Sequence, residues 1–74
     1  MKHEFERALA LWKADEPFYG LIMAAMLRAD TENMEKLRAA FPDVHEELDK
    51  RYWAPGGIIE GDPDYDPDLH GSER

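Results

Sequence analysis

Seventy-four residues carry seventeen acids against nine bases, for a formal charge of −8, and contain no cysteine. Disulfides are therefore excluded, no Cys/His cluster offers a structural zinc site, and so short a chain supports one small domain with a thin core. A molecule this negative repels nucleic acid and anionic membranes and attracts basic protein surfaces.

Residues 2–14 read as an amphipathic helix. Phe5, Leu9 and Trp12 recur at i, i+4 and i+7, Ala8 and Leu11 widen the stripe, and Glu4, Glu6, Arg7 and Lys13 take the wet side. The acids in this segment set it apart from a secretory leader, so the cytoplasm is the expected compartment. Asp15-Glu16-Pro17 is a break.

The run PFYGLIMAAMLRA, residues 17–29, organises the chain. From Phe18 to Leu27 it holds no charge, and its surroundings are heavily charged, so the remaining elements are expected to cover it. It exceeds strand length and is rich in good helix formers. Pro17 suits a first helical turn, and Asp15 or Glu16 offers a cap. Ten uncharged residues make about 15 Å of helix, against roughly 30 Å of bilayer hydrocarbon, so it is not a membrane span. Gly20 and Ala24, four apart, leave a shallow face for a neighbouring helix, in this chain or in a second copy.

A third helix begins at Asp30 or Thr31 as its cap, with Met34, Leu37 and Phe41 on its apolar face and Glu32 paired with Lys36. Pro42 ends or bends it. The spacing Asp43-x-x-Glu46 resembles a capping box and opens a fourth helix, with Val44, Leu48 and Tyr52 on one face and Lys50 and Arg51 in the last turn. Ala54-Pro55-Gly56-Gly57 terminates it. Ile58-Ile59 is expected to fold back towards Trp53. The fold class is thus all-α: a small bundle of three or four short helices spanning residues 1–59, followed by a largely extended acidic tail over residues 60–74.

The charge is uneven between these parts. Met1 to Gly57 holds eleven acids and eight bases; the remainder holds six acids and one base. The tail repeats Asp62-Pro63-Asp64-Tyr65 as Asp66-Pro67-Asp68-Leu69. Prolines four apart favour polyproline II, in which alternate carboxylates stand about 6 Å apart, close to phosphate spacing along a nucleic-acid strand. Tyr65 between them is placed to stack as a base does. The plain alternative is a solvated acidic tail.

Little else carries chemistry. His45-Glu46-Glu47-Leu48-Asp49 departs from H-E-x-x-H at its second histidine and reads as an i,i+4 pair on a charged face. DPDYDPDLHGSE, residues 62–73, has acids at positions 1, 3, 5 and 12 of a calcium loop, but Pro67 stands where that loop needs glycine. With the only serine in the tail and no phosphate-cradling glycine loop, neither enzymatic activity, cofactor nor metal is expected.

The segments FYGLIMAAMLRADTENMEKL and LRAAFPDVHEELDKRYWAPGG resemble small reading frames of bacterial prophages and integrative elements. That resemblance implies a mobile-element origin. In size, acidity and helical architecture the chain is also similar to the inhibitors of host defence known as anti-CRISPR proteins, many of which occupy nucleic-acid grooves by mimicking phosphates. The resulting expectation is a non-enzymatic viral inhibitor acting as a DNA mimic. Its partner would be a basic host protein such as a CRISPR effector, bound through Glu46, Glu47, Asp49, Asp62, Asp64, Tyr65, Asp66 and Asp68, without direct contact to nucleic acid or membrane. The alternative is a structural or regulatory module that homodimerises through the run bounded by Phe18 and Leu27, with acidity serving solubility.

Overall fold

The apolar periodicities translate directly into helices in the computed structural model, which describes residues 1–70. The order is α1 (Lys2–Lys13), α2 (Phe18–Arg28), α3 (Thr31–Ala40) and α4 (Pro42–Trp53), then a 3-10 turn (Pro55–Gly57) and the one-turn α5 (Pro67–His70). Among the described residues there is no strand, so the all-α class holds. No helix among them is long and apolar enough to cross a membrane.

Helix ends follow local chemistry. The Asp30 side chain accepts the Asn33 backbone N–H at 2.8 Å and caps α3. Two other expected caps are not used. Pro17 stands outside α2 as its N-cap, with extended backbone, and neither Asp15 nor Glu16 caps that helix. Both belong instead to the end of α1. Asp15 N–H reaches the Trp12 carbonyl at 3.1 Å and Glu16 N–H the Leu11 carbonyl at 3.5 Å, with Asp15 left-handed at φ 59°. This is the paired 6→1 and 5→2 pattern of a Schellman motif, with aspartate where glycine is usual. Nor does Asp43 cap α4: Phe41, at φ −134° and ψ 65°, closes α3 and opens α4 in one residue, and Pro42 becomes the first residue of α4.

Packing joins α2, α3 and α4 to one another and seats the 3-10 turn on α4. Phe18 meets the Phe41 ring edge-on at 6.0 Å, fixing the start of α2 against the α3–α4 junction. Leu21, Ile22 and Met23 are half-buried, and among the described residues Met26, 1% exposed, is the one buried hydrophobic residue. Hence the apolar run is only partly covered: Phe18, Tyr19 and Leu27 stay exposed. Gly20 does not receive a neighbouring helix. A Cβ there would lie 3.1 Å from Cγ of Pro17, so the glycine makes room for the proline ring.

α1 departs most from expectation. Its apolar stripe has the pattern of a core-facing helix, yet all of its residues are exposed, Phe5 and Trp12 by 62% and 74%. The Schellman turn and Pro17 direct it away from the three-helix body.

Replacing Asp15 with glycine relieves the left-handed backbone at the end of α1, at the cost of a freer unfolded chain. Asp15→Gly is expected to stabilise that helix end by about 1 kcal/mol. Slower amide exchange at residues 14–16 would show it, and unchanged or faster exchange would contradict it.

Candidate protein interface

Two surfaces are built on α4. The first is an ion-pair hub. Arg51 lies one turn after Glu47, so the two side chains share a helix face, and Nε donates to Glu47 Oε2 at 2.7 Å. Beyond α4, Gly56 and Gly57 at φ 64° and 73° take left-handed conformations that only glycine adopts without strain, and they turn the chain back on the helix. The Gly57 carbonyl then accepts Arg51 Nη1 at 2.9 Å. Asp62 arrives opposite the same guanidinium and accepts Nη1 and Nη2 at 2.8 and 3.0 Å, a bidentate fork. Its second task is local: Asp62 Oδ2 accepts the Ile59 backbone N–H at 3.0 Å.

These contacts explain the electrostatics. Hydrogen bonds from Arg51, then the Ile59 N–H, hold the Asp62 carboxyl down at about 2, and hydrogen bonds to Asp62, then Glu47, push the guanidinium up. They also redirect the tail. Residues 60–64 form turns, with Asp62 N–H bonded to the Ile59 carbonyl and Tyr65 N–H to that of Asp62, and α5 follows. The Asp-Pro repeat therefore does not run on as polyproline II. Arg51 gathers its first carboxylate, and the turn bonds that follow shorten the spacing that extended chain would have.

The expected acidic residues are accordingly divided. Asp62 and Glu47 face Arg51. Glu46 sits on another side of α4, 3.6 Å from Lys50, with both groups well exposed. Asp49 lies near Glu46 around the helix and borders a groove. Asp64 and Asp68 are exposed; Asp66 and Tyr65 are half-buried, and Asp66 Oδ1 accepts the Asp68 N–H at 3.0 Å. The calcium-loop spacing runs past the described residues, and its first acid is already held by Arg51. Among the described residues no group of three His, Cys, Asp or Glu is placed to hold a metal ion.

The second surface is that groove. It has a volume of about 260 Å³ between α2, α3 and α4, and it is lined by Met26, Leu27, Met34, His45, Leu48, Asp49, Tyr52 and Trp53. Tyr52 and Trp53 pack edge-on, ring centroids 5.1 Å apart, and stand 63% and 77% exposed. Trp53 thus projects outward, and Ile58 and Ile59 are half-buried. His45 lines the groove with Asp49. Exposed aromatics in a concave apolar setting are what protein interfaces use as anchors.

Sequence reasoning missed the hub and the uncovered aromatics. A signal for the hub existed: Arg51 is the last base before the acidic tail and follows Glu47 by four. The chain matches no family model, no curated protein and no solved structure.

The lowered Asp62 carboxyl fixes the sign of a pH dependence. Because it ionises more readily when folded, its stabilisation is complete above its ordinary value of 3.8 and is lost as pH falls towards 2. Asp62→Asn is expected to remove that acid-side loss and to speed amide exchange at Ile59 at neutral pH. An acid-unfolding profile identical to that of the parent would contradict the hub.

Proposed function

We propose that this chain is a non-catalytic interaction protein of a phage or mobile element. Its acidic surface engages the basic nucleic-acid-binding surface of a host protein, with an effector of the CRISPR type as the model partner. The observation that carries this reading is the anchoring of the acidic segment. Arg51 ties Asp62 to α4, so Glu60, Asp64 and Asp68 are exposed on a segment attached to a folded body. Attachment lowers the ordering entropy lost on binding, which favours recognition over mere solubility.

Charge bookkeeping supports the same sign of partner. Lys2, Lys36, Lys50 and Arg51 each face an acid of the same chain, at 2.8, 3.6, 3.6 and 2.7 Å. Much of the positive charge is thereby answered internally, and the surplus offered to a partner is negative. Glu46 and Asp49 on α4 add to it from the body.

The alternative, a self-associating module working through the run from Phe18 to Leu27, draws on a different observation: Phe18, Tyr19 and Leu27 of that run stay exposed.

The test uses a triple variant, Asp64→Asn with Asp66→Asn and Asp68→Asn, which leaves the Arg51–Asp62 fork in place. Against purified basic nucleic-acid-binding effectors, a CRISPR effector complex among them, the parent is expected to compete with target DNA. The variant should compete at least tenfold less well and with a flatter salt dependence. Competition unaltered by the triple substitution and by half-molar salt, or direct binding of the parent to DNA, would overturn the reading.

A further inference from the structure

We infer that α1 is an exchanged arm: its apolar stripe docks in the α2–α3–α4 groove of a second copy of this chain, and the two copies do so reciprocally. The inference goes beyond the acidic-surface reading and does not depend on it.

The first support is area. The chain exposes 6204 Å², whereas a folded monomer of 8.6 kDa exposes about 4,700 Å² by the usual scaling with mass. Its Cα radius of gyration is 15.1 Å, against about 11 Å for a compact domain of this length. The surplus over the whole chain, acidic segment included, is roughly 1,500 Å², and a standard stable interface needs roughly 800 Å² of it per partner. A second copy is the occupant that satisfies both unmet surfaces at once, because each copy brings one arm and one groove. A two-fold arrangement then closes the assembly and leaves neither element over.

The second support is the arm itself. α1 is twelve residues long, and an isolated helix of that length is marginal in water unless an apolar face is covered. It carries Phe5, Leu9, Leu11 and Trp12 exposed, and none of its residues is even half-buried within its own chain. The left-handed Asp15 turn, followed by the extended Pro17, sets its direction away from its own body.

The third support is charge. Lys2, Arg7 and Lys13 outnumber Glu4 and Glu6, so α1 is net positive, whereas the acid that lines the groove is Asp49 of α4. The arm of one copy and that acid of the other thus have opposite sign, a local complementarity that acts at contact distance against the mutual repulsion of two chains of −8. α2 paired with α2 lacks that advantage, since its single charge is Arg28.

Sedimentation equilibrium of the full chain is expected to give twice the monomer mass at micromolar concentration, with far-UV helicity falling as dilution releases the arm. Trp12→Glu on the arm and Trp53→Glu at the groove change side chains that are three-quarters exposed in the monomer, so the three-helix body should keep its helicity. Each variant alone should weaken the dimer at least 100-fold. Mixing the two should restore a heterodimer, because one intact arm then meets one intact groove. A monomeric parent at 100 µM overturns the inference. So does a dimer indifferent to Trp12→Glu, which would mean that another face pairs, or a mixture that stays monomeric.

Discussion

Ordering a backbone costs about 1–2 kcal/mol per residue, and burial of apolar surface is the main term that offsets it. Among the described residues of this chain one hydrophobic side chain is buried, Met26, and Leu21, Ile22, Met23, Met34, Leu37, Val44 and Leu48 are half-buried. Every other structural feature bears on that shortage. Without cysteines it has no covalent staple. What it has instead is short-range: a side-chain cap at Asp30, a Schellman turn at Asp15, a shared residue at Phe41, and the guanidinium of Arg51.

Arg51 is the most connected of these. It binds a carboxylate from its own helix, a carbonyl from the turn that ends that helix, and a carboxylate from the segment beyond. A lysine has no planar fork with which to meet Asp62 through two parallel bonds while still donating to Glu47 and Gly57. The three acceptors come from three consecutive elements, so the guanidinium sets the path of the chain from α4 to residue 62. The acidic segment is not added to a finished bundle; its first carboxylate is part of what finishes it.

The helices were legible because their signals are local. Apolar spacing near 3.6 residues marked α1 to α4, and proline and glycine marked their ends to within a residue or two. The caps were less legible because competing uses are equivalent in sequence. Asp15 and Glu16 look like acceptors for α2, yet they complete α1; Asp43 looks like a capping acid, yet Pro42 already occupies the first helical position. What α1 packs against was not legible at all, since Phe5, Leu9 and Trp12 say that a face needs covering and not by what. Likewise the eight acidic and aromatic positions expected to meet a partner were found as types. The faces of Glu46, Glu47 and Asp49 follow from α4 itself, whereas the return of Asp62 to Arg51, with Asp64 and Asp68 left exposed, depends on a turn made by two left-handed glycines.

Phe41 ends one helix and begins the next with no residue between them. Such a joint has no slack. Each residue inserted there would rotate α4 by about 100° about its axis and shift it by about 1.5 Å. One insertion would carry Val44 and Leu48 off the body, swing Tyr52 and Trp53 away from the groove, and point Arg51 where the returning chain does not pass. The length of this one connection thus keeps the apolar and charged halves of α4 in phase with their separate neighbours.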